Sequence, residues 1–343
     1  MEKYGQYRDK GSGIAPFFPV APPPSNPLIA PYHVFLFFLR LPFFIFAWAV
    51  WLLLVQWTPA GSILRKANLW CIIGVPGIWF VDIRVDGVHR GSLGKTLAKL
   101  PTPGSIIAAS YTSPVDIVYL AAIFDPIFVQ SFPGTTRVKP VSLAFAVLSC
   151  FVLNPSPEGS VELSWLMAEN PSRTFVVFPE GTTSNGRGIL RPTPSLLSAG
   201  RTTSIFPVSL KYTPSDIVTP IPGWTEALRF LWKLSSRQTH CIRVRVGLPL
   251  TIAQVQRDEN GSREARPRQQ SGYDTNFFDS LKEAESSAAR GEPTEAEQKV
   301  LDVIVDQLAR LGRVKTLGLG IEEKIDFVNA WTGKTTKSKK RRQ

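Results

Sequence analysis

Apolar and polar residues change their pattern three times along this chain. Residues 1–31 show no period. They are rich in Pro and Gly, with Pro22, Pro23 and Pro24 in a row, and predict an irregular, mobile segment. Val34–Val55 is then apolar for about 22 residues, interrupted by one charge, Arg40. At roughly 1.5 Å per residue such a helix reaches roughly 33 Å, enough for a bilayer core of roughly 30 Å. Arg40 and Pro42 lie near its start, where an arginine can snorkel and a proline fits the first turns. The run begins too far into the chain, is too long and lacks a small-residue cleavage site, so it reads as an anchor rather than a cleaved signal. A second run, Leu69–Val81, is broken by Gly74, Pro76 and Gly77 and is too short to span. Three placements stay open for it: re-entrant, interfacial or packed in a core. Residues 32–81 are therefore read as the membrane-anchor region.

From Val81 short apolar runs alternate with helical stretches. Ile83–Val85, Ile106–Ala109, Ile127–Gln130, Phe175–Phe178, Ile205–Leu210 and Ile242–Val246 read as strands. Ile117–Phe124, Leu143–Phe151 and Val161–Ala168 read as the helices between them. This alternation predicts an α/β domain over residues 82–252, a mostly parallel sheet flanked by helices, with an N-terminal membrane anchor. Residues 253–294 are polar and read as a loop or linker. Residues 295–327 form an amphipathic helical region, with Val300, Ile304, Leu308 and Leu311 on one face. Residues 328–343 form a basic tail.

Hydrophobic residues make up 44% of the chain, which supplies a sizeable core. The net charge of +12 suits an anionic partner. About half of it sits in Lys334, Lys337, Lys339, Lys340, Arg341 and Arg342, so no broad nucleic-acid surface is required and no nucleic-acid partner is expected. The tail reads as a membrane-surface patch, a retrieval signal or a nuclear-type signal. Behind an anchor the first two are favoured, since each basic residue near an anionic leaflet contributes roughly 1 kcal/mol. Cys71, Cys150 and Cys241 show no ligand spacing and read as reduced packing residues. No metal site and no resident cofactor are expected.

Two stretches carry candidate chemistry. In Phe175–Gly188 an apolar strand ends at Pro179, and Glu180-Gly181-Thr182 turn outward, followed by Asn185-Gly186. Ligands of open α/β sheets bind at the carboxyl ends of strands, and Gly there lets N–H groups face an anion. The plain alternative is a strand exit with a solvated Glu180. In Ala108–Leu120 a strand runs into a polar turn, where Ser113 is placed as N-cap, Pro114 as the first helical residue and Asp116 in the first turn. The plain alternative for Asp116 is an ordinary helix-dipole residue. Lys139, Arg187, Arg191 and Lys211 are candidate cations for a substrate phosphate or CoA, Arg187 foremost because it follows Glu180 on the same loop; the plain alternative for each is a solvated surface charge.

Together these pieces resemble the glycerolipid acyltransferase family, which acylates lysophosphatidic acid and related lysolipids. Its first motif, N-H-x-x-x-x-D, is matched by Ser110-Tyr111-Thr112-Ser113-Pro114-Val115-Asp116, with Tyr111 where the family has its catalytic His. Its third motif, F-P-E-G-T-R-S, is matched by Phe178-Pro179-Glu180-Gly181-Thr182-Thr183-Ser184, with Thr183 in place of Arg. Phe206-Pro207-Val208 is similar to the fourth. The second motif ends in Arg, and Cys150–Pro155 offers none. The resemblance spans about residues 82–250. The start of the chain, the Y-T-S-P-V-D stretch and the basic end resemble fungal members of the family that lack the His, which makes its absence a subgroup trait.

The resemblance implies transfer of an acyl group, oleoyl foremost, from acyl-CoA as co-substrate to lysophosphatidic acid, giving phosphatidic acid for phospholipid and triacylglycerol synthesis. It implies Asp116, Tyr111 and Glu180 as catalytic residues, and Phe178, Gly181, Thr182, Thr183, Arg187 and Lys139 around the substrates. It implies endoplasmic reticulum and lipid-droplet membranes, membrane lipids as partners and a domain facing the cytosol; protein partners stay unnamed. Without the His, three routes are open: Asp116 acts directly or through water, a distant His (His33, His89 or His240) enters the site, or the site binds lipid without turnover. Tyr111 is a poor base, because a phenol of pKa roughly 10 stays protonated at neutral pH. A catalytically silent lysolipid-binding or scaffold protein on the same fold is the alternative function.

Overall fold

The computed structural model describes residues 2–24, 26–88, 99–153, 157–257 and 293–333. A seven-stranded sheet holds β1 (Ile78–Val85), β2 (Ile106–Ala109), β3 (Ile127–Ser131), β4 (Val138–Val141), β5 (Phe175–Val177), β7 (Ile205–Thr213) and β8 (His240–Val246), in the order β1-β8-β7-β2-β5-β3-β4. A separate two-residue pair joins β6 (Gly188–Ile189) to β9 (Lys315–Thr316). β2 runs parallel to β5 and β7, β3 to β5 and β1 to β8, while β7–β8 and β3–β4 are antiparallel. The mostly parallel α/β sheet predicted by the alternation is therefore present. β4 was not legible in the pattern, because Lys139 and Pro140 interrupt it. It lies on the sheet edge, where proline is tolerated.

Each face of the sheet is closed by helices of different origin. Phe206, Val208, Leu210 and Tyr212 alternate along β7 toward α3 (Pro114–Phe124), where they share a core with Ile117 and Leu120. On the opposite face Ile106, Ala108, Phe175 and Val177 pack against Val300, Ile304 and Leu308 of α7 (Glu295–Gly312). The amphipathic C-terminal region thus completes the core of the α/β domain. Two further helices between strands, α4 (Leu143–Ser149) and α5 (Leu163–Glu169), match the predicted stretches within a turn, whereas the helix at Trp224–Ser236, between β7 and β8, was not predicted.

The apolar run Leu69–Val81 resolves into two elements, the end of α2 (Ile63–Gly74) and the start of β1, with Gly77 turning between them at φ +94°. Leu69, Ile72, Ile73 and Ile78 are buried, so the core-packed placement holds for this face. α1 (Ala30–Leu53) is long and apolar enough to cross a bilayer. It buries Leu36, Ala47 and Trp51 against the rest of the protein and exposes Phe35, Phe38, Phe43 and Phe46. Exposed apolar area costs roughly 25 cal/mol per Å² in water, which points this stripe toward a membrane.

Arg40 does not snorkel. Its Nη1 donates to the carbonyls of Pro76 (3.1 Å), Ser235 (3.4 Å) and Arg237, and its Nη2 to that of Gln238 (2.9 Å). These last carbonyls lie at the end of α6 (Trp224–Ser236), where backbone acceptors lack helical partners and the helix dipole favours a cation. α1 is therefore bolted to the domain in its N-terminal half.

The N-terminal segment is irregular as read, but it is packed rather than mobile. Phe17 is fully buried, and Tyr4, Tyr7, Phe17 and Phe18 surround Phe327 of α8 (Ile321–Trp331), the Phe18 ring centre lying 5.3 Å away. Aromatic burial outweighs the Pro and Gly content there. The basic tail expected from residue 328 begins inside α8. Most of the 253–294 linker, the tail from 334 onward and His89 lie outside the described residues.

Candidate active site

β2 and β5 are neighbours, so the two motif loops leave the sheet side by side. Ser113 caps α3 by accepting from Val115 N, and Pro114 needs no N–H in the first turn. Asp116 closes the capping box. Its Oδ2 accepts from Thr112 N (2.8 Å), Ser113 N (2.8 Å) and Thr112 Oγ1 (3.0 Å), and its Oδ1 accepts from the phenol of Tyr212. Asp116 is fully buried. Desolvation raises its pKa to about 6, and the hydrogen bond from Tyr212 and those from the turn hold it from rising further.

Glu180 is also fully buried, which removes the solvated-exit alternative. Its Oε1 accepts from Tyr111 N and its Oε2 from Leu190 N, each at 3.1 Å. Burial raises it to about 7 against these two bonds. The carboxylate thus staples the β2 loop to the β5 loop and on to the chain beyond β6. Gly181 turns at φ +60°, a conformation that L side chains rarely adopt, and a Cβ there would come within 2.7 Å of Ile321 Cδ1 on α8.

Tyr111 faces away from Asp116. Its ring stacks on Phe178 with centres 4.3 Å apart, and its hydroxyl meets Ser149 Oγ (3.1 Å) and Cys150 Sγ (3.3 Å). Burial keeps the phenol protonated, with a pKa well above its ordinary value. The phenol that reaches Asp116 is Tyr212, at the end of β7. Sequence reasoning stopped that strand at Leu210. Continuing the two-residue period from Val208 and Leu210 places Tyr212 on the same face. Of the histidines, His33 lies on α1, and His240 is buried with its Nε2 against Leu234 O at 2.8 Å; burial lowers it to about 4. Neither meets Asp116.

Two cavities flank this carboxylate. One, of about 200 Å³, is apolar and lies between α1, α2, α3 and α6, with Pro114, Val115 and Val118 on its inner wall and Phe44, Trp48 and Phe230 opposite. The other, of about 260 Å³, is lined by Thr112 and Tyr212, the two side chains bonded to Asp116, and by Arg187, Lys211, Asn185 and Val20. Arg187 therefore lies where a cation was sought. Thr182 is partly exposed on the loop, whereas Lys139 sits on edge strand β4 paired with Gln130 and lines neither cavity. Arg191 bonds Gly318 O and also lines neither.

A cation not read from the sequence approaches from α8. Lys324 Nζ donates to Thr183 O (2.6 Å) and Thr183 Oγ1 (2.9 Å), and that hydroxyl donates to Thr219 O (2.6 Å). Lys324 is buried, and desolvation lowers its pKa to about 7. It stands against the position where the family motif has Arg. Only its spacing on α8 could have pointed to it, since the apolar face of that helix includes Phe327 and Val328.

The two carboxylate loops leave adjacent strand ends, and residues 95–211, which include both, match the protein-family model described as Acyltransferase. That match spans the two stretches singled out in the sequence, around Asp116 and Glu180. A relative in Schizosaccharomyces pombe, provisionally named lysophosphatidic acid:oleoyl-CoA acyltransferase, is 27% identical over 237 residues, covering 65% of this chain and 77% of that protein.

Proposed function

We propose that this protein transfers a fatty acyl group from acyl-CoA to the free hydroxyl of lysophosphatidic acid at a membrane surface. The observation that carries the reading is the placement of Asp116 between an apolar cavity and a cation-lined one, with Tyr212 bridging it to the latter. An acyl chain fits the first and a phosphate the second, so the thioester and the hydroxyl meet beside Tyr212. The name of the yeast relative supports this substrate pair.

The chemistry follows from the Tyr212–Asp116 pair. The lysolipid hydroxyl gives its proton to the Tyr212 oxygen as that phenol passes its own proton to Asp116 Oδ1. The lysolipid oxygen attacks the thioester carbonyl carbon, and the tetrahedral adduct collapses with loss of the CoA thiolate. The proton returns from Asp116 through Tyr212 to the departing sulfur, which restores the pair. A carboxylate with a pKa of about 6 is ionised at neutral pH and still basic enough to share the proton. In this reading Glu180 and Phe178 position the loops, Arg187 and Lys211 meet phosphate, and the exposed stripe of α1 lies in the lipid.

One observation favours a second reading, a silent lysolipid-binding protein: Asp116 and Glu180 are each fully engaged by donors that also serve to hold turns. Purified protein in mixed micelles with lysophosphatidic acid and oleoyl-CoA decides between them. Phosphatidic acid formation that disappears in Asp116→Asn, with folding intact, supports the enzyme. Lysolipid binding without turnover in the wild type supports the silent reading.

A further inference from the structure

The cation-lined cavity beside Asp116 does not end at Lys211. The same side chain opens a second cavity, of about 140 Å³, lined by Ser209, Arg243, Arg245, Gly312 and Arg313. Antiparallel pairing sets Lys211 opposite Arg243 and Ser209 opposite Arg245, which rows the cations across β7 and β8. Arg313, just past the end of α7, adds a fourth. Among the described residues Lys211, Arg243 and Arg313 have no carboxylate within ion-pair distance, and Arg245 Nη1 is held by Leu311 O at 3.2 Å. The carboxylate adjoining the row, Asp82, is paired with Arg84 at 3.3 Å. Crowding four cations that share no ion pair is unfavourable unless an anion joins them. Burial, and after it repulsion from Arg245 and Arg243, lowers the pKa of Lys211.

The row lies on the α7 face of the sheet, opposite the face that packs on α1. It begins next to Tyr212 and extends about 10 Å from it along β7, at roughly 3.3 Å per residue. We propose that this row binds the phosphorylated nucleotide end of the thioester donor, so that the acyl chain enters the apolar cavity while the adenosine phosphates of CoA stay on the water side. The inference rests on the acyl-CoA reading above and names the groups that recognise that donor. Several phosphate oxygens match a row of guanidinium forks, which bind such groups in pairs.

The test uses the full chain in detergent micelles and the exposed pair Arg243→Gln with Arg313→Gln, which leaves the Arg245 bond in place. Calorimetric titration with CoA is expected to show about tenfold weaker binding in the double variant. Dephospho-CoA, which lacks the 3′-phosphate, should bind the wild type more weakly and lose less on substitution. In turnover, KM for oleoyl-CoA should rise with kcat held, while oleoyl-pantetheine, which has no nucleotide, should be used equally by both proteins. Unchanged CoA affinity in the double variant overturns the inference, whatever the acyltransferase assay shows. Loss of binding to anionic phosphatidylserine vesicles with CoA affinity unchanged overturns it too and assigns the row to the membrane surface. CoA binding that needs these arginines in a protein showing no acyl transfer sustains the inference and removes the acyl-transfer reading instead.

Discussion

The hydroxyl of Tyr212 donates to Oδ1 of Asp116, joining the end of β7 to the first turn of α3 across 96 positions of sequence. Tyr111, five positions before Asp116, instead turns its ring onto Phe178 and its hydroxyl toward Ser149 and Cys150. The two tyrosines should therefore differ sharply when altered. Tyr212→Phe and Asp116→Asn should each lower kcat by roughly 10²–10⁴-fold, the usual range for acid–base groups. Tyr111→Phe should keep most activity. Comparable losses in Tyr111→Phe and Tyr212→Phe, measured on folded protein, would reverse this assignment.

Restoring the family histidine alone should not help. Tyr212 already occupies Asp116 Oδ1, and position 111 faces Phe178. Tyr111→His should leave kcat at or below the wild-type value, and only Tyr111→His combined with Tyr212→Phe frees the carboxylate for an imidazole. A clear rise in kcat for Tyr111→His by itself would show that position 111 has direct access to Asp116.

The rate should carry an acid limb set by Asp116. Its raised pKa, from 3.8 to about 6, means that the proton-accepting form is lost as pH falls through about 6. kcat should drop tenfold per pH unit below that point and stay level from pH 7 to 9, because burial keeps the tyrosine phenols protonated there. A limb that begins instead near the ordinary carboxylate range would place the titrating group elsewhere.

Stability should vary with pH in two opposite limbs. Asp116 and Glu180 have folded pKa values raised to about 6 and about 7, so the folded state binds protons more tightly and loses stability as pH climbs from about 4 to 7. Lys324 is lowered from 10.5 to about 7, so the unfolded state binds more protons between those values and stability climbs again above pH 7. Thermal melts across pH 4–10 should show a minimum near 7. Lys324→Met should flatten the upper limb; a limb that persists in the variant has another source.

Removing the bolt on α1 should cost stability without touching the chemistry. Arg40→Ala leaves the carbonyls of Pro76, Arg237 and Gln238 without their donor, a loss on the order of 3 kcal/mol for charge-assisted bonds. Denaturant titration in detergent should show it, and Arg40→Lys, with a single ammonium, should recover only part. A change within a few tenths of a kcal/mol would mean that water replaces the guanidinium.

Much of the architecture was legible because short apolar runs have only a few ways to pair. The boundaries of β2 emerged from Ile106–Ala109 unchanged, and Ser113-Pro114 announced the start of α3. The loops holding Asp116 and Glu180 were legible for the same reason: both follow strands that lie next to each other in the sheet. What stayed hidden depends on contacts between distant segments. Tyr212 continues the two-residue period of its strand, but its contact with Asp116 spans 96 positions and leaves no local signal, and Lys324 is the single cation of a helix whose partner is 141 residues earlier. Arg40 read as a surface-seeking charge because its acceptors come from a helix end far along the chain. The packing of Phe17 and Phe18 was masked by proline and glycine, whose local signals say nothing of what their neighbours touch.

The contact between Lys324 and Thr183 also sets an order of assembly during synthesis. α1 precedes every strand of the sheet along the chain, so its exposed apolar stripe is made before any strand has emerged. The loop bearing Glu180 appears next, yet the helix that grips it through Lys324 leaves the exit tunnel only after 141 further residues have been added. Until then Gly181 lacks its contact with Ile321, and α7 has not covered Ile106 and Phe175. The site thus stays unfinished through most of synthesis, and α8, which follows every strand of the seven-stranded sheet, is the helix that completes it.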